Sequence, residues 1–418
     1  MLKIFKRGET PDAELVRREA GAANVTDTVA AIIADVRQNG DAALLAYNAR
    51  FDRAEGVALE VTAEELDAAC GRVDPELVKV MELAAENIRA FHSRQLSHGY
   101  IMSGKNGSLL GQRVIPLRRV GLYIPGGTAA YPSSVLMNCI PAKIAGVDEI
   151  VMTTPASGGA VSDVILAAAK IAGVDRVFRV GGAQAVAALA YGTETVPQVD
   201  KIVGPGNAFV AEAKRQVFGQ VAIDMIAGPS EILVVSDGKS DPKWLAADLL
   251  SQAEHDKLAT AILITDSMPL AEAVQAEVER QLAVLPREEI ARAAIEANGK
   301  IIVTGTLDEA VEMANAVAPE HLELAVDSPF DFLPKVRNAG SIFLGRYCPE
   351  PLGDYLSGTN HTLPTMGTAR FSSPLGVEDF VKRSYFSYYT ADALEQVADA
   401  AALFADAEGL HGHAVSAT

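Results

Sequence analysis

Apolar positions in the first hundred residues recur at helical spacing. Between residues 10 and 98 they return every three or four positions, as in the run from Val29 to Val36. Thr62 can cap a helix beginning at the next residue, and Asp74 with Pro75 opens a longer amphipathic stretch. We therefore predict successive helices here, and no residue pattern in this region indicates chemistry.

From about residue 120 the pattern changes to short β-branched runs that alternate with alanine-rich helical stretches. The first series of strand-like runs comprises residues 149–152, 177–180 and 201–203, with helices predicted over 163–171, 183–191 and 207–218. A second series comprises residues 231–235, 261–264, 300–303 and 341–344. This alternation is typical of doubly wound parallel sheets, and it predicts an α/β protein with two such domains.

Residues 346–374 carry no apolar periodicity. A loop of that length inside a compact protein is usually either functional or disordered, and the Asp354 and His361 of this one favour function. A short helix is predicted near residues 377–382. A last helix is predicted over residues 390–408, ended by Gly409.

Composition narrows the class of protein. The 418 residues, 49% of them hydrophobic, can form two or three domains, and the net charge of −18 disfavours nucleic acid as a partner. No apolar run approaches the ~18 residues of a membrane span, so we expect a cytoplasmic protein without a membrane partner. Cys70, Cys139 and Cys348 show no metal or disulfide spacing and are interpreted as small core residues.

The histidines are distributed unevenly. Five of the seven lie in four polar clusters, each with an amide or carboxylate beside a histidine: residues 251–255, 319–321, 354–361 and 408–413. Such side chains bind metals and transfer protons, so the clusters indicate one site assembled by folding.

Two clusters adjoin predicted elements. Gln252 and His255 extend the apolar stripe of a helix that begins at Pro242, which fits a hydrogen-bonded core pair as well as two metal ligands. Glu320 and His321 lie between the end of a helix and a strand. Ligands bind at strand ends in open α/β sheets, so the two form a candidate acid/base pair, the alternative being a polar surface loop.

The last cluster follows the C-terminal helix. Glu408 ends an apolar stripe that includes Leu394 and Phe404. His413 lies in an unpatterned tail, which is either a frayed terminus or a segment that supplies a ligand. Three glycine turns at residues 121–127, 180–184 and 204–207 fit either a pyrophosphate site or ordinary turns.

Taken together, these segments resemble the zinc-dependent histidinol dehydrogenase family, which catalyses the last two steps of histidine biosynthesis. The resemblance covers almost the whole chain through ordered motifs at residues 91–95, 121–127, 180–185, 200–207, 223–231, 251–255, 319–322, 353–361 and 408–413. It implies an NAD-dependent, four-electron oxidation of L-histidinol through L-histidinaldehyde to L-histidine.

The resemblance also implies roles for individual residues. Glu320 would activate water and His321 would be the general base. One zinc ion per subunit would be bound by Gln252, His255, Asp354 and His413. The substrate would meet these ligands and His321, together with Ser230, His361 and Glu408. NAD would be contacted by Tyr123, Gln184 and Asn207.

The implied fold is a pair of incomplete Rossmann-like domains with helical terminal extensions. The expected boundaries are an N-terminal extension over residues 1–20, an NAD-contacting domain over 123–231, and a domain with most zinc and catalytic residues over 21–122 and 232–374. Residues 375–418 would form an arm that supplies Glu408 and His413 to the partner in a homodimer.

The chain departs from the family at His411, which stands where the family usually has threonine, so His411 competes with His413 as the ligand. Two other functions remain open. Relatives of the family oxidise other polar alcohols, such as sulfonated diols, although Ser230, His361 and Glu408 favour histidinol. A zinc site beside Glu320 also fits a hydrolase.

Overall fold

The structure is a computed structural model that describes residues 2–18, 24–126 and 130–418, so Gly127 of the first glycine turn lies outside the described residues. Its strands are β1 (Lys3–Lys6), β2 (Tyr100–Ser103), β3 (Leu109–Pro116), β4 (Arg119–Tyr123), β5 (Glu149–Thr154), β6 (Arg176–Arg179), β7 (Lys201–Val203), β8 (Ala222–Ile223), β9 (Glu231–Ser236), β10 (Thr260–Thr265), β11 (Lys300–Val303), β12 (His321–Ala325), β13 (Ser341–Leu344) and β14 (Val381–Tyr388). The predicted strands are confirmed.

The α-helices begin with α1 (Asp12–Leu15), α2 (Thr26–Tyr47), α3 (Ala63–Arg72), α4 (Pro75–His92), α5 (Pro132–Ala145), α6 (Asp163–Ala172), α7 (Gly182–Tyr191), α8 (Ala208–Val217) and α9 (Pro242–Ala253). They continue with α10 (Met268–Leu282), α11 (Glu288–Asn298), α12 (Leu307–Val317), α13 (Pro329–Phe332), α14 (Glu350–Tyr355), α15 (Ala391–Glu395), α16 (Ala398–Ala407) and α17 (His411–Ala417). None of the described helices is both long and apolar enough to cross a membrane.

A five-stranded parallel sheet in the order β6-β5-β4-β7-β8 forms the first core. Helices α2, α3 and α4 also pack on it: Val29 belongs to the same apolar cluster as Phe178, and Ile88 to that of Leu122. The predicted boundaries had joined residues 21–122 to the other domain. An amphipathic stripe shows that a helix has a buried face but does not identify the surface it covers.

A six-stranded parallel sheet in the order β1-β11-β10-β9-β12-β13 forms the second core. Helices pack on both faces of this sheet, as in a doubly wound fold. The N-terminal extension is therefore not separate, because β1 forms the edge strand beside β11.

The region after residue 374 differs from the prediction. Residues 377–380 form a 3₁₀ turn, and the predicted helix gives way to β14, which pairs antiparallel with β3 in a small sheet that also contains β2. The last helix is broken at Gln396 and Val397 into α15 and α16, and α17 follows it where an unpatterned tail was expected. Strand β14 is largely exposed and lacks the continuous apolar run that predicts a buried parallel strand.

Candidate active site

A cavity of about 820 Å³ lies between the two parallel sheets. Its walls come from the segment that follows the carboxyl end of β7 and from the segments that enter the amino ends of β9 and β12. It brings together eight of the predicted site residues: Asn207, Ser230, Gln252, His255, Glu320, His321, Asp354 and His361.

Helix α9 and its end supply two of these side chains. Gln252 lies in the last turn and is only 2% exposed, whereas His255 follows the end of the helix at Ala253. Burial lowers the pKa of His255, partly offset by Asp354, which favours the neutral imidazole that a metal requires. The cavity location favours the ligand interpretation over a closed core pair.

The Glu320–His321 pair lies at the amino end of β12 and is buried. The Glu231 backbone N–H donates to Glu320 Oε2 at 2.9 Å, and His321 Nδ1 lies 3.0 Å from the Glu231 carbonyl oxygen. Because that carbonyl can only accept, Nδ1 carries the proton and Nε2 presents its lone pair. A surface loop is therefore wrong for this pair.

Burial shifts the two groups in opposite directions on the pKa scale. It raises the pKa of Glu320 well above its usual value. It lowers the pKa of His321, although the negative charge of Asp354 offsets part of that shift. A neutral imidazole beside a more basic carboxyl group is the pairing that general acid/base catalysis requires.

The long loop supplies Asp354 and His361. Asp354 lies on the short helix α14, and its Oδ1 is 3.9 Å from His321 Nε2. His361 Nδ1 lies 3.2 Å from the Asp354 carbonyl oxygen, and its Nε2 lies 3.3 Å from Ser134 Oγ. The long loop thus places both of its predicted site residues at the cavity.

Sequence reasoning missed Glu350. This side chain is 2% exposed, and its Oε1 lies 3.5 Å from His321 Nε2. Burial, with the nearby charge of Asp354, raises the pKa of Glu350 to about 9. Its position between two prolines marked only the start of a helix, and no periodicity indicated burial.

The donor set fits a metal ion. One potential ligand atom from each of His321, Glu350 and Asp354 lies within 4.8 Å of the other two. His321 Nε2 and Glu350 Oε1 are buried and have no hydrogen-bond partner among the described residues. Gln252 and His255 line the same cavity, so imidazole nitrogen and carboxylate or amide oxygen atoms are available, as zinc prefers.

Four predicted residues are not part of the cavity lining that the described residues form. Glu408 and His413 are exposed at the C-terminal end of this chain. Tyr123 and Gln184 are buried, and the Tyr123 hydroxyl accepts a hydrogen bond from Gly182 N at 3.1 Å. Asn207 alone of the predicted NAD contacts reaches the cavity.

Asn207 also shapes its own turn. Its side-chain oxygen accepts hydrogen bonds from Phe209 N and Val210 N at the start of α8. This cap occupies two of the N–H groups at the start of α8, so the favourable interaction with an anion at this turn comes mainly from the helix dipole.

The parallel α/β scaffold with a buried acid/base pair in a large cavity defines an enzyme of doubly wound architecture. The sequence model described as "Histidinol dehydrogenase" matches residues 15–418. The chain therefore belongs to the histidinol dehydrogenase family, as its motifs predicted.

Similar proteins agree with this assignment. The chain is 57% identical to the histidinol dehydrogenase of Geobacter metallireducens, over 97% of this chain and 94% of the relative. It is 55% identical to that of Syntrophotalea carbinolica, over 99% and 94%. The crystal structure of histidinol dehydrogenase from Elizabethkingia anophelis is 36% identical and superposes with a TM-score of 0.95, over 100% of this chain and 97% of that one.

Proposed function

We propose that this enzyme oxidises L-histidinol through L-histidinaldehyde to L-histidine with two molecules of NAD, the last two steps of histidine biosynthesis. The observation that carries the proposal is the buried Glu320–His321 pair, which faces the same cavity as Gln252, His255 and Asp354. Membership of the histidinol dehydrogenase family supports the choice of histidinol over a sulfonated diol.

Four residues would hold zinc: Gln252, His255 and Asp354 from one chain and His413 of the partner subunit. This set shares only Asp354 with the His321–Glu350–Asp354 group, so Nε2 of His321 would stay uncoordinated and free to act as a base. Zinc held there would supply coordination positions for the amine and imidazole nitrogens of histidinol, which would keep the aldehyde bound between the two oxidations. Ser230 and His361 line the same cavity and would orient the substrate. NAD would accept the hydride in each oxidation. Asn207 is the predicted contact that lines the cavity, and the other two predicted contacts, Tyr123 and Gln184, are buried.

His321 would take the hydroxyl proton in the first oxidation. Its Nδ1 is committed to the Glu231 carbonyl oxygen, so Nε2 is the basic atom, and its lowered pKa keeps it unprotonated near neutral pH. After hydration of the aldehyde, the same nitrogen would take a proton from the gem-diol in the second oxidation.

Glu320 would activate the water that hydrates the aldehyde. Its raised pKa makes the ionised carboxylate a stronger base than an exposed one, and the Glu231 N–H fixes one of its oxygens. The balance is histidinol, water and two NAD giving histidine, two NADH and protons.

The deciding experiment is a spectrophotometric assay of the purified protein with L-histidinol and NAD. We expect two NADH per histidinol consumed and an equal amount of histidine. NADH formation from a sulfonated diol but not from histidinol would assign the enzyme to the other polar-alcohol dehydrogenases. Absence of NADH together with zinc-dependent hydrolysis of esters or amides would support the hydrolase.

The C-terminal arm supports a homodimer with shared sites. Glu408 and His413 carry predicted roles yet are exposed, and the arm also exposes Leu403 and Phe404, at 74% and 71%. Large apolar side chains exposed together mark an interaction surface. Partner arms would bury this surface and bring the partner's Glu408 and His413 to the cavity.

Complementation between inactive subunits tests this arrangement. A Glu320→Gln His321→Gln protein mixed with a His413→Ala protein should regain activity, because a mixed dimer contains one intact site. A parallel His411→Ala variant shows which histidine is the ligand. If labelled subunits exchange and no activity returns, each site is built within one chain.

A further inference from the structure

The N-terminal segment contains a buried arginine, Arg18. Arg18 Nε lies 2.6 Å from Glu231 Oε1, and its Nη2 donates to Glu231 Oε2 at 3.1 Å and to the Val317 carbonyl oxygen at 2.7 Å. The Arg18 and Glu231 side chains are 10% and 2% exposed. The two side chains form a buried ion pair that joins the N-terminal segment to the first residue of β9.

Glu231 contacts both members of the acid/base pair through its backbone. Its N–H holds Glu320 Oε2, and its carbonyl oxygen receives His321 Nδ1–H. Its side chain is fixed by Arg18 and by the Met366 N–H, which donates to Oε1 at 3.2 Å. The position of one peptide segment therefore sets the orientation of two catalytic side chains.

We propose that Arg18 is a positioning residue for Glu320 and His321, acting through Glu231; the catalytic part of this inference rests on the proposed function. A buried carboxylate that loses its cation moves toward water or draws water in. Movement of the Glu231 side chain displaces the backbone that holds the pair, and displacements of about 1 Å at a catalytic group can lower the rate by about 100-fold.

The same sheet provides a matched control. Arg346 forms an ion pair with Asp237, directly after the opposite end of β9, and with Asp327 at 2.7 Å, after the end of β12. Its side chain is 15% exposed, close to that of Arg18. Loss of this pair also destabilises the sheet, but at the end away from Glu320 and His321.

We expect Arg18→Met to lower kcat for histidinol by roughly 10- to 100-fold at temperatures well below melting, with KM for NAD changed by less than about twofold. Arg18→Lys should recover part of kcat, because it restores the charge with fewer hydrogen bonds. Arg346→Met should lower Tm and leave kcat unchanged.

An unchanged kcat in folded Arg18→Met, or an equal loss in Arg346→Met, would overturn the proposal. If Arg18→Met does not fold, the Arg18→Met Glu231→Gln variant removes the unpaired charge, and its kcat should remain low because the link to the N-terminal segment is gone.

A second measurement does not need turnover. The ¹⁵N resonances of His321, assigned with His321→Gln, should show Nδ1 protonated in the wild type and a mixture of tautomers in Arg18→Met. Wild-type protein that fails to oxidise histidinol but shows this change would reject the proposed function and keep the positioning role. Identical tautomers in both proteins would reject the positioning role.

Discussion

The two parallel sheets differ in which ends of their strands lie at the cavity. The five-stranded sheet presents the carboxyl end of β7, followed by the turn at residues 204–207 and the N-terminus of α8. The six-stranded sheet presents the amino ends of β9 and β12, where Glu320 and His321 lie. Ligands in open α/β sheets usually bind at carboxyl ends, and only the first sheet follows that rule.

The difference in direction accompanies a difference in chemistry. The first side offers the N-terminus of α8, whose dipole suits a phosphate-bearing ligand. The second side holds titratable side chains whose pKa values burial moves away from their usual values, namely Glu320 and His321, with Glu350 beside His321. We infer that the first side binds the dinucleotide and the second carries out proton transfer, an inference that four tests can break or sharpen.

Metal removal should have the largest effect, and it should abolish the function of the second side without affecting the first. Because the candidate ligands Gln252, His255 and Asp354 lie on the side of the six-stranded sheet, chelation should abolish histidinol oxidation while NAD still binds. Calorimetry with NAD before and after chelation measures this, and zinc should restore turnover. Loss of NAD binding upon chelation would show that the sides are not independent.

Substitution within the acid/base pair should have the next largest effect. Loss of one positioned proton-transfer group typically lowers the rate by about 10²–10⁴-fold. His321→Gln should impair both oxidations, whereas Glu320→Gln should still interconvert histidinol and histidinaldehyde but fail to form histidine. Rates of aldehyde reduction by NADH and oxidation by NAD separate these steps. Equal losses in both directions for Glu320→Gln would contradict the division of roles.

The cost of burying carboxyl groups should appear in the pH dependence of stability. Burial raises the pKa of Asp248 from its usual 3.8 to about 6, and Glu323 is its hydrogen-bond partner. A carboxyl group whose pKa is raised in the folded state stabilises the fold fully when the pH is below its unfolded-state pKa. That stabilisation is lost as the pH rises through the folded-state pKa. We therefore expect Asp248→Asn to reduce the loss of stability between about pH 4 and pH 6.

A shift of about two pKa units corresponds to about 3 kcal/mol, and the part of Asp248 that reaches water lowers this to about 2 kcal/mol. Denaturant unfolding of both proteins at pH 4 and at pH 6.5 measures the difference. Parallel pH profiles would show that Asp248 titrates alike in the folded and unfolded states.

The smallest effect should come from the five-stranded side. Asn207→Ala removes a helix cap, which costs about 1 kcal/mol of stability, and also removes a predicted NAD contact, which should raise KM for NAD several-fold. Thr306→Ala is the control. Thr306 caps α12 by accepting a hydrogen bond from Glu309 N at 3.2 Å, and Thr306 is not one of the predicted NAD contacts. A rise in KM for NAD in both variants would assign the effect to stability alone.

The amino-acid sequence by itself determined most of the local elements and the family to which the chain belongs. The alternation after residue 120 predicted β5, β6 and β7 of the five-stranded sheet and β9, β10, β11 and β13 of the six-stranded sheet, because buried parallel strands need continuous apolar runs. Strands β1, β4 and β8 were not predicted. The capping box at Thr62 and Glu65 and the helix start at Asp74 were also readable, since capping depends on neighbouring residues only.

The tertiary structure alone decided which distant surfaces meet. Helices α2 to α4 pack on the five-stranded sheet, and β14 replaces a predicted helix, because pairing with β3 outweighs a weak local preference. Glu350 and Arg18 gave no sequence signal, since a single charged residue looks the same whether it is solvated or buried. Their partners, His321 and Glu231, come from strands about 30 and 200 residues away, and only folding joins them.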